Sequence, residues 1–167
     1  MKTHTVISRT RILPFLICAW GAMCWEAAAQ KPVIRNGDFE SGKQYWKGTG
    51  KVISLEDGNK VGQIIGDDRT LQDLEIPFEM GDLQVLEVRF RARYVGGGGG
   101  QMRLKIETRG HGAIMHVRDL PADGSWGEFK ASYNKKPGVT KFDAVFQALK
   151  DKGVLQIDDV SAGAPGS

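Results

Sequence analysis

The sequence predicts an all-β protein built as an antiparallel sandwich or barrel. In "LEVRFRARYV", Leu86, Val88, Phe90, Ala92 and Tyr94 share one parity, while Glu87, Arg89, Arg91 and Arg93 share the other. That alternation suits a strand with one side on a core and one in water. The next segment repeats it, with Met102, Leu104, Ile106 and Thr108 set against Arg103, Lys105, Glu107 and Arg109. The third observation is punctuation: short apolar runs separated by Gly, Asp, Asn and Pro clusters, the rhythm of many short strands joined by turns.

Taken in order, further strands are expected at 52–55, 63–65, 74–78, 114–117, 128–133, 142–148 and 154–160. "FDAVFQALK" also scores as a helix, but the alternation of Phe142, Ala144, Phe146 and Ala148 and its short length favour a strand. The glycine run Gly96–Gly100 is expected to close a hairpin between the two basic strands. Leu86, Val88, Phe90, Leu104, Ile106, Phe129, Phe142, Phe146 and Ile157 are the expected core. The closing "AGAPGS" is expected to be a short flexible tail.

Residues 1–29 have the form of a secretory signal peptide: a basic start at Lys2, Arg9 and Arg11, a short apolar run from Ile12 to Trp25, and Ala27–Ala29 as a cleavage site. Residues 30–167 are then one domain of a secreted or periplasmic protein, with no membrane insertion after cleavage. Both cysteines, Cys18 and Cys24, would leave with the signal, so no disulfide is expected. Losing three of the 23 basic and one of the 20 acidic residues lowers the formal charge from +3 to +1. Any argument about a basic partner then rests on local charge distribution, and no nucleic-acid partner is expected.

Catalytic motifs are missing. Ser125 in "GSWG" is no nucleophile elbow, and "GGGGGQM" lacks the Lys-Ser/Thr of a phosphate loop. His111 and His116 lie five apart and face opposite ways on a strand, which is a poor metal pair. A non-enzyme is expected, with a small polysaccharide-active enzyme as a distant alternative.

The segments "NGDFESG", "YW", "EDGNKVG", "IPFEMGDLQVLEVRFRAR", "GSWGEFKASY" and "GVLQIDDVSAG", in that order, resemble secreted carbohydrate-binding modules of the galactose-binding-like jelly-roll type, the group around families four, nine and twenty-two. The resemblance implies a jelly-roll β-sandwich, a polysaccharide partner and work beside a separate carbohydrate-active enzyme. It also implies a structural calcium held by Glu40 and by Asp158 or Asp159, with a carbonyl near Asn59 or Lys60. Two carboxylates plus carbonyls suit that hard cation. The alternative is that these are solvated strand-end acids.

In such modules Trp46 and Trp126 would belong to the scaffold, leaving Tyr45 as the better sugar platform. The expected ligand face carries Arg89, Arg91 and Arg93, joined across the glycine hairpin by Arg103, Lys105 and Arg109. Guanidinium groups suit bidentate contact with carboxylate or sulfate, so an acidic polysaccharide is the expected ligand. Against this stand two plainer readings: a merely solvated basic face, and a matrix or protein-interaction domain on the same fold.

Overall fold

A computed structural model describes residues 34–66, 72–96, 99–108, 112–149 and 153–166. Residues 1–29, expected to be a signal peptide, and Arg109 lie outside these. The described strands are β1 (Lys51–Ser54), β2 (Lys60–Ile65), β3 (Asp73–Glu79), β4 (Val85–Val95), β5 (Gln101–Thr108), β6 (Gly112–Asp119), β7 (Gly127–Asn134), β8 (Lys141–Leu149) and β9 (Val154–Gly163). All pair antiparallel, in a five-stranded sheet ordered β1-β2-β9-β4-β7 and a four-stranded sheet ordered β3-β8-β5-β6. Each expected strand is present. The segment that also scored as a helix is β8, bonded to β3 on one side and β5 on the other, with Phe142, Ala144, Phe146 and Ala148 buried.

The core lies between the sheets and includes every expected residue, with Phe129 only partly buried. Its aromatic spine runs from Phe39, stacked on Trp46 at 4.6 Å, through Phe146 to Phe90, which meets Phe146 edge-on at 5.1 Å. Trp46 is scaffold, as expected: it is buried, and its Nε1 donates to the Asn36 carbonyl at 2.9 Å.

The segment from Ile34 to Trp46 is a series of turns clasped to the last strand. Asn36, at φ 52°, takes the left-handed angle, while its side chain donates to the carbonyls of Gly42 and Gln44 and accepts from Ser41 N. Gly37 serves close approach. Its carbonyl accepts a bond from Val160 N at 2.9 Å, and a Cβ there would lie 1.7 Å from the Val160 carbonyl oxygen.

Two expectations are corrected here. The run Gly96–Gly100, of which 97 and 98 lie outside the described residues, does not close a hairpin. β4 pairs with β7 and β9, whereas β5 pairs with β6 and β8, so the run crosses from one sheet to the other. Small residues are needed at this crossing because Tyr94 fills it. A Cβ on Gly100 would lie 2.5 Å from the Tyr94 ring, and Gly153 N donates to the Tyr94 hydroxyl at 3.0 Å. The C-terminal residues are also less free than expected: Ala162 and Gly163 belong to β9, opposite Val88 and Glu87.

Candidate functional site

Because β4 and β5 belong to different sheets, the six expected cations do not share a face. Arg89, Arg91 and Arg93 point outward from the five-stranded sheet. Arg103 and Lys105 point outward from the other, where Arg103 Nε donates to Gln147 Oε1 at 2.8 Å and Lys105 pairs with Glu107. The expected single basic groove is therefore split across the two sides of the sandwich.

The register of the five-stranded sheet lines up its outward side chains in rows. Lys51 lies opposite Gln63, Gln63 opposite Gln156, and Gln156 opposite Arg93. Hydrogen bonds run along this row: Arg93 Nε donates to Gln156 Oε1 at 2.8 Å, and Gln156 Nε2 donates to Gln63 Oε1 at 3.2 Å. Beside it, Ile65 and Val95 flank Val154, and both are exposed. At the far end stands Trp126, one residue before β7, with its ring centroid 4.7 Å from the Arg93 guanidinium carbon and 5.3 Å from that of Arg91.

Trp126 lies outside the hydrophobic core: it is half-buried and braced on two arginines. The turn before it is tied by Ser125 N donating to Asp123 Oδ1 at 2.9 Å. Hydrogen bonds from the Ser125 side chain and backbone hold the Asp123 carboxyl below its ordinary range.

The next row pairs Asp158, Arg91 and Glu128. Here β9 carries a bulge, the register shifting between Arg89 and Arg91, with Asp159 at φ 51°. The extra residue turns both aspartates toward Arg91. Arg91 Nη2 donates to Asp158 Oδ2 at 2.9 Å, and Arg91 Nε lies 2.7 Å from Asp159 Oδ2. The second contact is ionic only, because the buried Nε has no hydrogen bond of acceptable geometry. Asp158, 2% exposed, also accepts from Asn59 Nδ2 and from Asp159 N. Farther along β4, Glu87 accepts from Arg89 Nε at 2.7 Å. That bond holds its carboxyl below the usual range, against the desolvation that raises it.

Arg89, Arg91, Arg93 and Lys130 are thus balanced on β4, β7 and β9 by Glu87, Glu128, Asp158 and Asp159, four against four. A cleft of about 470 Å³ opens beside them, lined by Arg89, Arg91, Glu128, Lys130 and Asp159 over Phe90 and Phe129.

Tyr45 is 47% exposed with the Arg35 guanidinium 5.6 Å from its ring centroid. It lies in the turn segment, and no described contact joins it to the arginine face. Of the expected calcium ligands, Glu40 and Asp158 are drawn to consecutive residues: Lys60 N donates to Glu40 Oε1 at 3.1 Å, and Asn59 Nδ2 donates to Asp158 Oδ2 at 2.9 Å. The Lys60 ammonium donates to the Glu40 carbonyl at 2.8 Å, marking an oxygen that accepts positive charge. Asp159 faces Arg91 instead. No group of three His, Cys, Asp or Glu side chains among the described residues could hold a metal. A cation here would draw on Glu40 and backbone carbonyls, oxygen donors of the kind calcium takes, and would compete for Asp158, whose oxygens already accept from Arg91, Asn59 and Asp159 N.

No family model and no curated protein matches the chain. Solved structures do. A family 61 carbohydrate-binding module in complex with β-1,4-galactotriose superposes with a TM-score of 0.60 at 19% identity, over 80% of this chain and 99% of that one. A family 4 module gives 0.60 at 15% identity, over 78% and 98%. The Clostridium thermocellum endo-1,4-β-D-xylanase 10B, its CBM22-1 and GH10 modules complexed with xylohexaose, gives 0.65 at 14% identity, over 82% of this chain and 29% of that one. The chain has the jelly-roll fold of carbohydrate-binding modules. On this jelly roll, the row ending at Trp126 crosses the strands of one outer sheet face.

Proposed function

We propose that the protein is an exported, non-catalytic carbohydrate-binding module whose ligand lies along the row Gln63–Gln156–Arg93–Trp126. The observation behind this is the Trp126 indole, held against Arg91 and Arg93 on an open sheet face. An aromatic ring fixed in this way suits stacking on a sugar ring, and the Gln63 amide and Arg93 guanidinium can bond hydroxyl groups while Gln156, buried between them, holds both in place. Neighbours of the same fold are solved with galactotriose and xylohexaose, and one is joined to a GH10 module, which supports a polysaccharide ligand and work beside a separate enzyme.

The acidic-polymer expectation rested on six cations sharing a face. The near balance of charge on this face, four cations against four acids on β4, β7 and β9 with Lys51 added on β1, favours an uncharged polysaccharide. Titration calorimetry against neutral and uronate-containing polymers at low and high salt tests this. The expected result is salt-insensitive binding to a neutral polymer, lost by roughly tenfold or more in Trp126→Ala, in line with about 1–3 kcal/mol for a well-placed aromatic contact. Salt-sensitive binding to the acidic polymer alone would restore the basic-groove reading. Absence of binding to every polymer would favour a protein-interaction domain.

Calcium at Glu40 and Asp158 is part of the same proposal, as a clasp between the turn segment and the last strand. Calcium would supply charge neutralisation there and stabilise the folded state by mass action. Melting with calcium and with chelator should differ for the native protein and agree for Glu40→Ala.

A further inference from the structure

Among the described strands, four form sheet edges: β1 and β7 in one sheet, β3 and β6 in the other. Three are blunted by devices that discourage strand addition. β1 has four residues and begins with Lys51. β3 is covered by the preceding chain, with Lys47 N donating to the Glu75 carbonyl and Gly50 N to the Asp73 carbonyl, both at 2.8 Å, and it contains Pro77, which has no N–H to offer. β7 presents Glu128 and Lys130 outward.

β6 has no covering chain among the described residues and no proline, and carries its charges, Arg118 and Asp119, only at its C-terminal end. It runs for eight residues, and Ala113–Val117 includes no Lys, Arg, Asp or Glu. Met115 is 59% exposed and Val117 46%, both on the outer side of the sheet, opposite Lys105 and Arg103 of β5. On the inner side, Ile114 packs on the core, while His116 leaves its Nε2 buried without a hydrogen-bond partner. A buried polar atom without a partner costs free energy in the single chain.

We propose that β6 pairs antiparallel with β6 of a second copy of this chain, forming a closed two-fold dimer in which two four-stranded sheets become one. The occupant is argued from self-complementarity. With the two-fold axis at His116, Met115 of each copy faces Val117 of the other, so both exposed apolar side chains are covered twice over. In that register Ala113 faces Asp119, Ile114 faces Arg118 and His116 meets its own copy at the axis, so no Lys, Arg, Asp or Glu faces a like charge. The pairing spans the whole run from Ala113 to Asp119. An isologous contact of this kind uses the same patch on both partners and therefore closes at two copies. The face bearing Trp126 belongs to the other sheet and stays open, so the proposal stands or falls independently of the ligand.

Sedimentation velocity of the purified protein over a wide concentration series tests it, paired with hydrogen exchange on β6. The expected result is a reversible doubling of mass with concentration and a parallel slowing of the β6 amides. Met115→Lys/Val117→Lys places lysines opposite each other across the two-fold and should be monomeric throughout with an unchanged melting temperature. Ser132→Lys, on the outer side of the β7 edge, should dimerise like the native protein. A native protein that stays monomeric with concentration-independent exchange, one that forms open-ended assemblies, or a dimer that survives in the double-lysine variant would each overturn the proposal. Should the double-lysine variant fail to fold, hydrogen exchange on the native protein still decides.

Discussion

Arg91→Met should destabilise the fold more than any other change on the arginine face. Among the described residues, Arg91 is the cation paired with Asp158, whose side chain is 2% exposed, and it holds Asp159 at the same time. Removing one partner of a buried ion pair costs about 3–5 kcal/mol, because the remaining charge is left without compensation. Two features reduce that here. Arg91 keeps 37% of its side chain in water, where screening weakens the pair, and Asn59 and the Asp159 amide still donate to the stranded carboxylate. A loss of about 2 kcal/mol is expected, which for a chain of this size lowers the melting temperature by roughly 4–8 °C.

Urea denaturation of the native protein, Arg91→Met, Asp158→Asn and the double variant measures the coupling directly. The double variant should lose less than the sum of the singles by about 1–2 kcal/mol, since each single change strands the other group. Strict additivity, or an Arg91→Met variant as stable as the native protein, would refute the assignment of this pair as the brace of the bulge.

Gly37→Ala should lower the urea midpoint by the equivalent of about 3 kcal/mol, because the added methyl meets the Val160 carbonyl oxygen and the clasp must separate; a native midpoint would show that the turn segment is not held to β9. His116 should make stability depend on pH. Burial, with repulsion from Arg118 second, pushes its pKa below the ordinary 6.5. The unfolded chain therefore takes up the proton first, so stability present above pH 6.5 is lost as the pH falls through the lower folded value. His116→Gln should flatten that part of the curve; an unchanged slope would contradict it. Phe146→Ala, fully buried against Trp46 and Phe90, should cost about 3–5 kcal/mol by calorimetry, and a loss under 1 kcal/mol would place Phe146 outside the core.

Alternation alone determined the strands and the core, because side chains on a pleated strand point to opposite faces with a period of two. It determined that Phe90 and Phe146 face inward and that Arg91 faces out. It also held a signal about Trp126: in "WGEFKASY" the tryptophan shares parity with Glu128 and Lys130, not with Phe129, Ala131 and Tyr133, so the polar face was legible for it. Parity cannot say which sheet a strand joins. The glycine run after Tyr94 is compatible with a hairpin or a crossing, and pairing partners far along the chain decide between them: β4 takes β9 and β7, and β5 takes β8 and β6. That choice separated Arg103 and Lys105 from the other arginines. The bulge at Asp159 leaves a trace in the sequence, since the inward parity of Leu155 and Ile157 switches to that of Val160 and Ala162 across two consecutive aspartates, but only the strand pairing brings both aspartates onto one guanidinium. Faces are written in the sequence because they depend on neighbours one and two residues away; sites are assembled from strands dozens of residues apart, and only the closed sandwich brings those together.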